Sequence, residues 1–130
     1  MIVVDASVVI EMLLQTDDGI AIADRLITAT ETLHAPHLID IEVAQVLRRY
    51  VLRGEVKAER AQHALEVMIE FPLTRYDHEP LLGRIWELRD NLTAYDAAYV
   101  ALAEGLNATL VTRDRKVSAV PVLRGVVELI

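Results

Sequence analysis

The chain begins with three consecutive apolar residues, Ile2, Val3 and Val4, and the run stops at an acid, Asp5. Alternating polarity marks a strand with one wet face; an unbroken apolar run marks a strand covered on both faces, as in a parallel sheet between helices. Parallel neighbours cannot be joined by a hairpin, so the chain has to return through crossovers. The pattern that follows supplies them. Ala6 to Leu14 reads as a helix and Asp18 to Thr30 as a second, with Ile20, Ala23, Leu26 and Ile27 at helical spacing. Leu33 to Ala35 is a brief strand before Pro36, and a longer helix runs from about Leu38 to Arg53, closed by Gly54 as a left-handed cap. Ala58 to Ile69 is the next helix, ended by Pro72, and Leu73 to Tyr76 the next strand.

Leu81, Leu82, Ile85, Trp86 and Leu88 mark a helix broken at Asn91 and Leu92. Thr93 can cap its successor, in which Ala97, Ala98, Val100 and Ala101 give a close-packing face before Gly105 to Asn107 end it. Thr109 to Thr112 is a fourth strand, Arg113 to Val120 a polar turn, and Val126 to Leu129 a final strand at the sheet edge. The alternation predicts one domain over residues 1–130, an α/β fold of three α/β/α layers around a mostly parallel sheet. A chain of 130 residues buries about two-thirds of its unfolded surface and needs no covalent staples.

Composition removes several functions. With no cysteine, disulfides, thiolate zinc sites, iron-sulfur clusters and a cysteine nucleophile are excluded, and a reducing cytoplasm is the expected location. No Lys or Arg precedes Arg25, and Asp5 and Glu11 interrupt the apolar start, so no export signal is expected; no apolar run approaches a membrane span. Ser7 lacks a glycine-bracketed elbow, no glycine-rich phosphate loop occurs, and Asp5-Ala6-Ser7 lacks the second aspartate of an aspartyl-phosphate phosphatase. Twenty acidic against thirteen basic residues give a net charge of −7, which argues against simple coating of nucleic acid. Acids gathered around a divalent cation are the exception, because the cation reverses the local field where phosphate approaches.

Four acids fall where that exception requires. Asp5 follows the first strand and Asp114 the fourth, at the carboxyl edge where parallel sheets bind ligands. Glu42 near the start of the third helix and Asp96 in the first turn after Thr93 approach the same edge. Converging carboxylates repel unless a cation compensates them, and oxygen-only ligation favours Mg²⁺ or Mn²⁺ and metal-assisted phosphodiester hydrolysis. Each acid also has a structural use: Asp5 as a helix cap, Asp96 in a capping box with Thr93, Glu42 on an exposed face, Asp114 paired with Arg113 or Arg115. Ser7 and Thr112 are candidates to support the acids or simply to cap. Arg113, Arg115 and Lys116 offer a basic rim for RNA phosphate or a solvated turn; Arg48, Arg49 and Arg53 offer a second strip for backbone contact, although an ordinary charged helix face is the favoured reading. His34, His37, His63 and His78 show no metal spacing and are given no role.

Three segments carry a family likeness: Val4-Asp5-Ala6-Ser7-Val8-Val9, then Leu92-Thr93-Ala94-Tyr95-Asp96-Ala97-Ala98-Tyr99-Val100-Ala101-Leu102-Ala103, then Leu110-Val111-Thr112-Arg113-Asp114. The sequence resembles the PIN-domain family, particularly the VapC-type ribonuclease toxins of prokaryotic toxin-antitoxin pairs, over essentially its full length. The resemblance maps the family's acids onto Asp5, Glu42, Asp96 and Asp114, the second through Ile39-Asp40-Ile41-Glu42-Val43-Ala44, where Asp40 is the nearest competitor. It implies a Mg²⁺- or Mn²⁺-dependent endoribonuclease, acting on transfer or ribosomal RNA and leaving a 5′-phosphate and a 3′-hydroxyl. It further implies a homodimer, a VapB-type antitoxin as inhibitor, and DNA contact only through that antitoxin. Some PIN domains carry a further acid after the fourth; Lys116 and Val117 follow Arg115 here, which leaves one or two metals open. The rival readings are a catalytically weak PIN-like binding module acting through its antitoxin and DNA, which retention of all four acids disfavours, and a structure-specific DNase, for whose added arches 130 residues leave no room.

Overall fold

The computed structural model describes residues 1–28, 30–123 and 126–130. Five strands, β1 Ile2–Val4, β2 Leu33–Pro36, β3 Leu73–Tyr76, β4 Thr109–Thr112 and β5 Val127–Leu129, form a sheet in the order β3-β2-β1-β4-β5 with every pairing parallel. The unbroken apolar run therefore becomes the central strand, and Val3 and Val4 are both 0% exposed. Val3 is in register with His34 on one side and Leu110 on the other.

That strand order fixes where a site can be. The chain steps outward from β1 through β2 to β3 and then returns to the far side of β1 as β4, so β1 and β4 flank the point where the winding direction reverses. Right-handed crossovers put the helices of the outward path on one face and those of the return path on the other. Between the divergent connections a crevice opens beyond the carboxyl ends of β1 and β4.

On the outward path lie α1 Ala6–Leu14, α2 Asp17–Thr28, α3 Leu38–Leu52 and α4 Ala58–Glu70, with α1 packed on the other three. A 3₁₀ turn at Glu79–Leu81 leads into the short α5 Leu82–Glu87, which supports α6 Ala94–Leu106. Every residue from Ala97 to Ala103 on α6 is buried, and its alanines let the helix lie close along β1, β2 and β4. The one-turn α7 Arg115–Ser118 follows β4. A contiguous core cluster joins Val3, Val4 and Leu110 of the sheet to Val8, Val9, Ile39, Val43 and Leu47 of the helices and to Val100 of α6.

Local signals hold at most boundaries and shift at a few. Gly54 takes φ +73° just past α3, and Asn107, φ 51°, closes α6 one residue beyond its last helical position. Pro36 belongs to β2 rather than following it: it lies past the last residue registered with β1, so its missing N–H costs no ladder bond to that strand. The second helix starts at Asp17, because Thr16 caps it by accepting from the Gly19 amide at 2.9 Å, and is described to Thr28; Ala29, within the expected helix, lies outside the described residues. Among the described residues no helix is long and apolar enough to cross a membrane.

Gly19 sits where α2 meets α1. A Cβ there would overlap the Glu11 carbonyl oxygen, so the two helices approach as closely as they do only because the side chain is absent. Gly19→Ala is expected to lower stability by about 1–3 kcal/mol through overpacking. Thermal unfolding by circular dichroism checks this, and an unchanged midpoint would refute it.

Candidate active site

Asp5 occupies the junction between β1 and α1. Its backbone is extended, and its carboxylate accepts from the Val8 amide at 3.2 Å, as an N-cap does. The Ser7 hydroxyl donates to the same carboxylate at 2.5 Å, and the Thr112 hydroxyl donates to its other oxygen. Ser7 Oγ accepts in turn from the Arg113 amide at 3.0 Å, and Thr112 Oγ1 from the Asp114 amide at 2.9 Å. These bonds stitch the carboxyl ends of β1 and β4 together around one acid, and Thr112 is fully buried in the process. The capping use and the site placement of Asp5 thus coexist, and Ser7 and Thr112 both contact it.

The other acids arrive from separate elements. Glu42 projects from α3 and accepts a 2.6 Å hydrogen bond from the hydroxyl of Tyr99 on α6, whose residue is only 3% exposed. Asp96 stands in the first turn of α6, where Thr93 Oγ1 caps its amide at 3.2 Å. Asp114 caps α7 by accepting from the Lys116 amide at 2.8 Å, and neither Arg113 nor Arg115 pairs with it. All four line one cleft of about 370 Å³ together with Ser7 and Tyr99. Its remaining wall comes from α1 and α3, with Ile10, Glu11, Val46, Arg49 and Tyr50, and from Arg113.

Proximity shows in the proton affinities. Burial raises the Asp5 carboxyl above its ordinary value; the bonds from Ser7, Thr112 and Val8 oppose the rise, and the charge of Asp114 adds to it. Glu42 is raised first by burial and then by Asp96 and Asp5, against the Tyr99 hydrogen bond. Asp96 is raised by burial, Asp114 and Asp5, with Thr93 and Lys116 opposing. Tyr99 is driven far above the usual phenol range by burial and by Glu42, so its hydroxyl stays a donor.

The donor chemistry suits a hard divalent cation: four carboxylates, no sulfur, and mutual repulsion that added positive charge relieves. Among the described residues no three acidic or histidine side chains already form a closed ligand cage. The carboxylates line a shared space without being drawn onto a single point.

Several assignments are sharpened. Asp40, the competitor of Glu42, turns away to a bidentate pair with Arg75 of β3 at 2.8 and 2.9 Å and does not line the cleft. Arg113 pairs with Asp18 at 3.0 Å and lies 3.8 Å from Glu11. Arg115 and Lys116 are exposed on α7. The arginines of α3 do not form one face: Arg49 lines the cleft, whereas Arg48 lines an apolar groove between α3 and α4. None of the four histidines lines the cleft; buried His34 bonds Thr32 and Tyr76, and His78 accepts from the Leu38 amide. Tyr99 was not identified from sequence, and Arg49 was not separated there from Arg48 and Arg53. Tyr99 lies three residues after Asp96, hence on the same side of α6, which is the signal that would have marked it.

Comparison with known proteins agrees with this geometry. The family profile described as PIN domain matches residues 2–123, a span that includes all four acids. Ribonuclease VapC9 of Mycobacterium tuberculosis and a VapC ribonuclease of Mycobacterium bovis are each 49% identical over 118 residues, covering 91% of this chain and 89% of the relative. Ribonuclease VapC1 of M. tuberculosis is 40% identical over 129 residues, 98% of this chain and 96% of its own. The crystal structure of PAE2754 from Pyrobaculum aerophilum superposes with a TM-score of 0.70 at 27% identity, covering 89% of this chain and 76% of that one. That of M. tuberculosis VapC20, described as a sarcin-ricin loop cleaving toxin, gives 0.67 at 17% identity, over 93% and 95% of the two chains, a likeness of fold. With the profile spanning β1 through β4 and half the residues shared with VapC ribonucleases over nine-tenths of its length, the chain belongs to the PIN domain family and, within it, to the VapC ribonucleases.

Proposed function

We propose that this protein is the toxin of a toxin-antitoxin pair, a metal-dependent endoribonuclease that hydrolyses transfer or ribosomal RNA in the cytoplasm and is restrained by a VapB-type antitoxin. The observation that carries the reading is the meeting of Asp5, Glu42, Asp96 and Asp114 from four separate elements in one cleft beyond β1 and β4. The names of the 49% identical relatives support ribonuclease activity. One domain and a homodimer complete the proposal.

In this reading the four carboxylates hold Mg²⁺ or Mn²⁺. When bound, such a cation polarises the phosphate, lowers the pKa of an attacking water and stabilises the departing oxyanion. The protein's own part is positional. Ser7 and Thr112 fix the orientation of Asp5, Tyr99 holds one oxygen of Glu42, and Thr93 anchors the turn that presents Asp96. Arg113, Arg115 and Lys116 supply the phosphate-facing rim, which an otherwise acidic surface needs in order to hold RNA.

Asp96→Ala is expected to abolish release of new 5′-phosphate ends from total RNA in Mg²⁺ or Mn²⁺, as EDTA does, while circular dichroism stays native. A folded variant cleaving at the wild-type rate would sink the assignment. The raised proton affinity of Asp96 also predicts a stability effect. Its contribution is fully present below the ordinary value of 3.8 and is lost as pH rises through the higher folded value, so at neutral pH the ionised group destabilises the fold. Asp96→Asn should therefore unfold at a higher temperature than wild type at pH 7 without metal, and millimolar Mg²⁺ should narrow the difference; a lower midpoint would contradict this. Tyr99→Phe removes a bond that lowers the Glu42 pKa. The acidic limb of its pH–rate profile should move to higher pH, with Mn²⁺ affinity by calorimetry reduced by about 10-fold or more, in line with one lost hydrogen bond to a charged group. An unmoved limb would remove Tyr99 from the site.

A further inference from the structure

The cleft has a second end. From Glu42, α3 runs along its wall through Val46 to Arg49 and Tyr50, and α1 faces it with Ile10 and Glu11, beside which Arg113 lies. Seven helical residues rise about 10 Å, so Arg49 stands two turns from Glu42 along α3, and it is not among the groups that act on the Glu42 carboxyl. Arg49 makes no ion pair among the described residues. Arg113 has two, to Asp18 at 3.0 Å and to Glu11 at 3.8 Å; Asp18 is 69% exposed, so water screens that pair, and the Glu11 contact is long, which leaves the guanidinium able to take an arriving anion. Between these cations and the acids lies an apolar stretch of Ile10, Val46 and one side of Tyr50.

Along α1 and α3 the cleft thus presents four carboxylates, then an apolar wall, then two guanidinium groups, of which Arg113 has Glu11 beside it. A nucleic-acid strand presents the complementary series: a phosphate, a sugar with its base, and the next phosphate. We infer that Arg49 and Arg113 form a second phosphate subsite for single-stranded RNA, holding the phosphodiester next to the one being cleaved while the nucleoside between them lies against Ile10, Val46 and Tyr50. The inference rests on the nuclease reading and adds to it the route by which the strand leaves the acids. Arginine suits the task, because its fork holds a phosphate by two parallel bonds while the scissile phosphate is left to the acidic end. The side of the cleft lined by α1 and α3 becomes the side that sets the register of cleavage.

The test uses Asp96→Asn protein, which binds without cutting, and a short fluorescein-labelled RNA of mixed sequence followed by anisotropy across a salt series. Adding Arg49→Gln should weaken affinity by about 5–20-fold and flatten the slope of log affinity against log salt by about 0.7, the value for one lost contact to a single strand. Arg48→Gln removes the same charge from the same helix but from the groove facing α4, and should leave both quantities unchanged. Calorimetric Mn²⁺ affinity measured with Arg49→Gln alone should match wild type, since Arg49 pairs with none of the four acids. Equal effects of Arg48→Gln and Arg49→Gln, or none from either, would overturn the subsite while wild-type cleavage of total RNA still stood. Absence of both RNA binding and cleavage in the wild-type protein would bring down the nuclease reading with it.

Discussion

The rest of the structure depends on a half-buried carboxylate that is hydrogen-bonded from three directions. Asp5 ends the central strand, starts the first helix and ties that junction to β4 through Ser7 and Thr112. A buried carboxylate without donors is costly, and one with donors becomes a fixed point to which neighbouring elements are anchored. Because Ser7 and Thr112 also receive the amides of Arg113 and Asp114, the turn after β4 takes its shape from the same acid. Local folding and the placing of a second carboxylate are one event.

The remaining acids show how repulsion is tolerated. Each belongs to an element held by apolar packing elsewhere: α3 by Ile39, Val43 and Leu47, and α6 by its alanine-rich buried length. Small residues on α6 matter twice, since they let the helix lie close to the sheet and so bring Tyr99 within reach of Glu42. The cost of crowding the charges is local, the packing that offsets it is distributed, and the difference is a cleft whose proton affinities are raised.

Much of this was legible because it depends on short-range pattern. An apolar run without alternation identified β1, the alternation of strand and helix gave the parallel sheet, and position relative to strand ends picked out Asp5 and Asp114. What escaped depends on partners distant in sequence. Asp40 and Glu42 are two residues apart, and only Arg75, thirty-five residues away on β3, draws Asp40 off and leaves Glu42 to the cleft. Arg48 and Arg49 are adjacent and alike, yet one faces α4 and the other lines the cleft, a distinction set by the packing of α3 and by nothing in its charge pattern. The early start of α2 turned on the side chain of Thr16, and the close seat of Gly19 on a carbonyl of the preceding helix.

The double duty of Asp5 has an evolutionary side. On the proposed role of the four acids, a lineage under pressure to silence this ribonuclease finds unequal routes. Loss of Asp5 removes a helix cap and the acceptor for two hydroxyl groups, so the disarmed protein is also a damaged one, prone to degradation. Loss of Asp96 relieves crowding among the acids and leaves the scaffold whole. Inactive descendants that persist, still folded and still able to occupy whatever partner surface the ancestor held, should therefore carry their lesion on α6 and keep the aspartate of the first strand.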